Sequence, residues 1–315
     1  MKAAVLDRFG SSSVIEIREL PRPEIQPDQV LIRVHAASVN PIDWKIREGM
    51  MSARYGEEFP MILGFDASGV VVEAGSEAAG FKSGDEVFAR SDIGAGGCYA
   101  EYAAINCATV APKPDKLSHV EAAAMPLAAL TALNGLRDVG RVEPGQRVLV
   151  VGASGGVGVY AVQIAKNMGA HVTGVCSTAN LDLVRELGAD DVVDYKRQNP
   201  LATAAPYDVV YDAVGAQAYA EAKKVLTAKG VYMTLVPVEG IDFFFPGQTE
   251  IKPQGGYFLV WAPTAADLKI LSAWVREGKL RSVIDSTYPL EESREAHERS
   301  QTLRAKGKIV LLIED

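Results

Sequence analysis

Between Arg147 and Gly158 the chain reads RVLVVGASGGVG, a short apolar and largely β-branched run followed by four glycines within seven positions. The next segment, VYAVQIAKNMGA, carries Val159, Val162, Ile164, Ala165 and Met168 at helical spacing, and HVTGVC then supplies a second apolar run. The pattern is that of a strand, a tight turn and a helix within the length of one βαβ unit. Ala153, Gly155 and Gly158 occupy the three spaced positions of a dinucleotide-binding turn, with alanine at the first. At Gly155 the missing side chain lets backbone N–H groups approach a pyrophosphate at the helix N-terminus, and at Gly158 it lets helix and strand pack closely. Ser154, Gly156 and Val157 complete the loop and count as cofactor contacts with it. The competing reading is a glycine-rich turn that binds nothing, and the flanking strand and helix weigh against it.

A length of 315 residues suits one large or two medium domains. Hydrophobic residues make up 48% and charged residues 23%, as in a globular protein with a substantial core. The formal net charge of −8 argues against nucleic acid or an anionic membrane as partner, and no run of about five Lys/Arg residues offsets it. MKAAVLDRFG lacks the apolar centre of a signal peptide and no stretch of about eighteen apolar residues occurs, so a cytoplasmic location is expected. Cys98, Cys107 and Cys176 are odd in number and far apart, which suits reduced thiols.

The first part of the chain reads as β-rich: VLIRVHAASV, ASGVVVEAG, DEVFAR and CYAEYAAI lie between turn signals, as in a small barrel. The texture then changes to LSHVEAAAMPLAALTALNGL, helical, with Ser118 as N-cap and Glu121 at the capping-box position. From Arg147 onward RVLVVG, HVTGVC, DDVVDY, YDVVYDAVG, GVYMTLV and YFLVWA alternate with helical segments, which predicts an α/β fold with a parallel, doubly wound sheet covered on both faces. A helix near 264–277 and the runs SVIDSTYPL and GKIVLLIE close the chain, the last as a strand able to rejoin the first domain.

AASVNPIDWKI at 36–46, LGFDASGVVV at 63–72, FKSGDEVF at 81–88, GCYAEY at 97–102, AAAMPLAALTA at 122–132, the glycine loop and LGADDVVDY at 187–195 together give the chain a family likeness along nearly its whole length. It resembles the zinc-independent medium-chain dehydrogenase/reductases, in the branch of quinone oxidoreductases and enone reductases. The resemblance implies a β-rich GroES-like barrel domain at 1–122 and 264–315, around a Rossmann NADP(H)-binding domain at 123–263. In zinc-dependent members a Cys, a His with a neighbouring Glu, and a later Cys or Asp build the metal site. The matching positions are Asn40, Phe65 with Asp66, and Leu127, and phenylalanine and leucine cannot ligate zinc, so no metal is expected. His35, His119, His171 and His297 are scattered and read as surface or strand-end residues.

An acidic residue about twenty positions past the glycines marks NAD-specific Rossmann domains. Here that place holds Ser177, Thr178, Ala179 and Asn180, whose hydroxyls and amide can donate to a 2′-phosphate. NADPH is therefore favoured over NADH; helix capping is the alternative role for Ser177 and Thr178. The resemblance adds Tyr195 at the 2′-phosphate. It also adds Thr131 near the nicotinamide amide or diphosphate, Ala213, Val214 and Gly215 at the carboxyl edge of the sheet, and Val236, Phe258 and Val260 around the nicotinamide. For the last group ordinary packing is the competing role.

Without a metal to polarise a carbonyl, the hydride acceptor must already be electrophilic, as quinones and α,β-unsaturated carbonyls are. The resulting enolate or hydroquinone anion needs donors where its charge develops. Lys45 is the leading candidate, because the matching lysine of related enone reductases lies in the cleft by the nicotinamide ribose and substrate oxygen. Asn40 is expected to face the cleft and bond cofactor or substrate. Tyr55 is placed on a covering loop, and Tyr99 is expected to stack on a flat ring; Asp43 is read as positioning its loop. A zinc-free alcohol or aldehyde reductase and a low-turnover NADPH-binding sensor or structural protein are the alternatives. A homodimer is expected, with YFLVWA pairing edge to edge across a two-fold axis.

Overall fold

The computed structural model describes residues 1–78, 80–91, 97–202, 204–260, 262 and 264–313. The chain first forms strands β1 (Lys2–Leu6), β2 (Glu16–Glu19) and β3 (Gln29–Val39), helices α1 (Pro41–Arg47) and α2 (Ser52–Tyr55), and strands β4 (Met61–Ile62), β5 (Asp66–Ala74), β6 (Glu86–Arg90), β7 (Tyr102–Asn106) and β8 (Val110–Pro112). Helices α3 (His119–Ala123) and α4 (Pro126–Asn134) lead to β9 (Arg147–Val151), α5 (Gly158–Asn167), β10 (His171–Cys176), α6 (Leu181–Glu186), β11 (Asp191–Asp194) and β12 (Tyr207–Asp212). Then come α7 (Tyr219–Lys223), β13 (Leu226–Thr234), β14 (Asp242–Phe244), β15 (Gly256–Leu259), α8 (Ala265–Arg276), β16 (Ile284–Pro289), α9 (Ser293–Gln301) and β17 (Lys308–Leu312).

The chain divides into two compact units, Met1–Ala128 with Pro263–Asp315, and Ala129–Ala262. The boundary differs from the one read in sequence, since residues 123–128 belong to the first unit. Ala123 and Ala124 are buried with Ala36 and Val310, and the Leu127 N–H donates to Asp66 Oδ1 at 2.9 Å. The long alanine-rich helix is in fact two helices, because Pro126 has no N–H to continue the first and begins the second. The predicted cap is present: Ser118 N–H donates to Glu121 Oε2 and Glu121 N–H to Ser118 Oγ, at 2.9 and 3.2 Å.

Among the described residues, the second unit is built on a seven-stranded sheet in the order β11-β10-β9-β12-β13-β15-β14, with every neighbouring pair parallel. The near-continuous apolar strands are what such a sheet needs, since both faces are covered; Val148, Leu149 and Val150 are fully buried. All six predicted strands lie in it. YFLVWA does not form its edge: β15 is flanked by β13 and β14, and the short β14 takes the outside place. Trp261, in the same run, lies outside the described residues.

The first unit carries a sheet in the order β16-β17-β3-β5-β6-β8, with β7 also on β3, and a small sheet β2-β1-β4. β17 pairs antiparallel with β3, so the chain's last strand does return to the first domain. Ile32, Val34, Val71, Val87 and Leu311 fill its core. No helix among the described residues is long and apolar enough to cross a membrane.

Candidate active site

In the second unit the loop after β9 is shaped by its own backbone. Gly152, at φ +80°, and Ala153 both donate to the Val175 carbonyl, at 3.1 and 2.9 Å, and Gly155 N–H returns to the Gly152 carbonyl at 3.0 Å. Two glycines in this loop are glycine for different reasons. A Cβ at Gly158 would lie 2.0 Å from the Gly152 carbonyl oxygen, so the helix can start this close to the strand only without a side chain. A Cβ at Gly155 would meet nothing nearer than that oxygen at 3.4 Å. The protein's own packing does not require glycine there, which leaves open space at the helix start that a ligand's phosphates can use. The cradle fits a dinucleotide.

Other predicted residues converge on this loop. Asn180 Nδ2 donates to Ser154 Oγ at 2.9 Å and to Ser177 Oγ at 3.4 Å, tying the end of β10 to the loop. Asp212, fully buried, accepts from the N–H groups of Val214 and Gln217 and from the Tyr232 hydroxyl, which sets the turn Ala213–Gly215. Val214 packs against Gly152, and Val236 against Gly215. Tyr195 follows β11, its N–H on the Cys176 carbonyl and its side chain 48% exposed. Thr131 is buried against β12, its carbonyl accepting the Tyr211 hydroxyl. Phe258 and Val260 stand further along the sheet, Phe258 against Phe243 and the Val260 N–H on the Phe244 carbonyl.

Thr178 departs from expectation. Its hydroxyl donates to Asp194 Oδ2 at 2.5 Å, so its proton is not available to a phosphate. A carboxylate does therefore stand beside this segment, brought by β11 rather than by neighbouring sequence. The Thr178 bond, then the Lys196 N–H and Arg197, hold the Asp194 carboxyl below its ordinary range. Ser177 caps no helix through its side chain and the Thr178 hydroxyl is on Asp194, so the capping role is not realised.

In the first unit the residues around α1 form a buried polar network. Asn40, 1% exposed, donates through Nδ2 to Asp66 Oδ2 at 2.9 Å and accepts the Lys308 ammonium at Oδ1. Asp66 also takes the Ser38 hydroxyl and the Leu127 N–H. The Asn40 amide is thus spent inside the protein, which corrects the expectation that it reaches cofactor or substrate. Tyr99 is corrected for the same reason. At 1% exposure it donates to Asp43 Oδ2 at 2.8 Å, packs edge-on to His297 and lies over Gly64, so its ring is core and not a stacking platform. His297 is fully buried in α9 with Nδ1 on Arg47; burial and that neighbouring cation push it down to about 3.

Asp43 lies in a helix, not the loop read in sequence, and holds the start of α1 by accepting the Asn40 N–H at 2.7 Å. Its other oxygen, Oδ1, is buried without a partner among the described residues. Burial first, then the nearby Asp66 charge, raise the Asp43 carboxyl to about 7 against the pull of its hydrogen bonds and of Lys308. Lys45, two residues further on in α1, is half-buried, its ammonium making no hydrogen bond or ion pair among the described residues and lying 5.6 Å from the Trp44 ring centre; burial lowers its pKa. Tyr55 ends α2 against Phe65, and burial raises its hydroxyl.

Lys308 and Asp194 are the site-forming residues that the sequence reading missed, and Asp66 was met there only as the neighbour of Phe65. The available signal was Lys308 itself, a cation opening the otherwise apolar strand KIVLL.

Two family models match the chain: residues 26–115 the alcohol dehydrogenase GroES-like domain, and residues 187–311 the domain described as zinc-binding dehydrogenase. Over 354 aligned residues the chain is 36% identical to the mitochondrial NAD(P)H oxidoreductase RTN4IP1 of Bos taurus, covering 99% of this chain and 89% of that protein. It is also 36% identical to 2-methylene-furan-3-one reductase of Solanum lycopersicum, covering 99% and 79%. The solved quinone oxidoreductase of Coxiella burnetii superposes with a TM-score of 0.88 at 32% identity, over 100% of this chain and 99% of that one. The fold and the glycine-loop site thus define a nicotinamide-dependent oxidoreductase. The chain belongs to the medium-chain dehydrogenase/reductase superfamily, in its quinone oxidoreductase branch.

The side chains at the positions matched to zinc ligands do not fit a zinc ion. Asn40 has its amide engaged at both ends, Phe65 has no donor atom, and Leu127 offers only an N–H already on Asp66. No group of three or more His, Cys, Asp or Glu side chains among the described residues could hold a metal.

Proposed function

We propose that this oxidoreductase uses NADPH to reduce a quinone, or the β-carbon of an α,β-unsaturated carbonyl, without zinc. The observation that carries the reading is the loop at Gly155, where the protein leaves room at a helix start that its own packing does not need. Its similarity to quinone and enone reductases supports the acceptor class. When bound, NADPH would supply the hydride. The protein's own work is to seat the diphosphate on the amides of Gly155–Gly158, to offer the Ser154 and Ser177 hydroxyls to the 2′-phosphate, and to bring a positive charge to the acceptor's oxygen. Lys45 suits that last task because its ammonium is half-desolvated and committed to no anion among the described residues.

Loss of reduced-nicotinamide absorbance with a panel of quinones and short enones tests the reading. Steady consumption with NADPH supports it. Turnover confined to alcohols or aldehydes would replace it with a carbonyl reductase, and tight NADPH binding with no turnover would replace it with a sensor. The proposal includes a homodimer formed along the outer strand β14, whose Phe243 is 53% exposed, with neighbouring Phe245 at 55%.

A further inference from the structure

The bonds between the loop after β9 and the end of β10 have a direction. Asn180 gives a proton to Ser154 Oγ and is placed to give the other to Ser177 Oγ. A serine hydroxyl has one proton and two lone pairs. With a lone pair of each occupied by the amide, each hydroxyl proton is turned away from Asn180, and neither has an acceptor among the described residues. Thr178 is set the opposite way: its proton is on Asp194, and only lone pairs face outward. The segment thus presents two fixed donors and one fixed acceptor, and a single side chain orients the donors.

We propose that Asn180 is the positioning residue for cofactor choice: by donating to Ser154 and Ser177 it fixes their hydroxyls as a donor pair for the 2′-phosphate. This assignment rests on the NADPH reading above. A phosphate dianion only accepts and bonds charge-assisted to both hydroxyls, whereas a ribose 2′-hydroxyl carries a proton of its own and gains less from two donors. Cofactor choice here comes from the orientation of neutral hydroxyls, and Thr178 takes no part in it.

Isothermal titration of the full chain with 2′,5′-ADP and with 5′-AMP, which differ only by the 2′-phosphate, tests this without turnover. Wild type binds 2′,5′-ADP more tightly. Asn180→Ala cuts that preference by about tenfold, as expected for losing oriented charge-assisted bonds, and leaves 5′-AMP affinity and the melting temperature in place. The Ser154→Ala/Ser177→Ala double variant loses the preference to the same extent, and adding Asn180→Ala to it costs nothing further, because the amide acts only through the two hydroxyls. An Asn180→Ala variant that keeps the wild-type ratio, or losses that multiply in the triple variant, would overturn the assignment while leaving the NADPH reading intact. A wild-type protein with no preference for 2′,5′-ADP would overturn both.

Discussion

Residues that look alike in sequence divide sharply once their partners are known. Lys308 is buried on the Asn40 amide, while Lys45, five residues after Asn40 in sequence, has no anion beside it among the described residues. Lys45→Ala is therefore expected to lower enone turnover by roughly ten- to a thousandfold with NADPH affinity little changed, and unchanged steady-state kinetics would remove the residue from the reaction. Asp43 makes a second prediction. Its carboxyl titrates near 7 in the folded protein and near 3.8 when unfolded, so the folded state holds the proton more tightly. The stability this contributes is complete below the unfolded value and is lost as pH rises through about 7. Asn is isosteric and cannot ionise, so Asp43→Asn should flatten the fall in melting temperature between pH 5 and pH 8; a variant that falls as steeply as wild type would place the buried proton elsewhere. The sequence reading of Asn40 and Tyr99 went astray for a physical reason. The Lys308 that claims Asn40 lies 268 positions away, and the Asp43 that claims Tyr99 lies 56 away, so neither partner is visible from local pattern.

At the scale of elements, the glycine loop was legible because its constraints are local: strand, turn and helix start are adjacent in sequence, and the backbone of seven residues sets the geometry. The two spaced glycines should nonetheless respond differently to the same change. Gly158→Ala puts a methyl group into the Gly152 carbonyl and should cost about 1–3 kcal/mol of stability or more. Gly155→Ala meets only an ordinary contact and should leave stability within about 0.5 kcal/mol while weakening NADP⁺ binding about tenfold or more. Denaturant melts and titrations of the two variants separate these outcomes, and equal loss of stability in both would show that the Gly155 space is not kept for a ligand. The strand β14 escaped notice because DFF has neither alternation nor length, and only the sheet beside it makes it a strand.

At the scale of the whole molecule, the run of apolar strands was enough to read the parallel sheet, since burial on both faces writes itself into composition. The unit boundary was harder, because α3 is helical in pattern but packs on the β-rich unit. Two predictions belong here. Exhaustive chelation followed by gel filtration should leave quinone turnover unchanged, and a loss restored by zinc would overturn the donor-set argument. Phe243→Asp should convert the species measured by light scattering from dimer to monomer, whereas an unaltered mass would move the interface away from β14. The return of β17 to β3 has an outcome of another kind, in the order of events during synthesis. The contiguous unit 129–262 can settle as it leaves the ribosome, but in the split one β7 covers only residues 29–33 of β3, and 36–39 must stay unpaired on one side until the final strand is made. Only then does the ammonium that Asn40 and Asp66 await arrive, so a translation product stopped before Lys308 would hold a finished nucleotide fold beside an unfinished barrel, exposed to proteolysis.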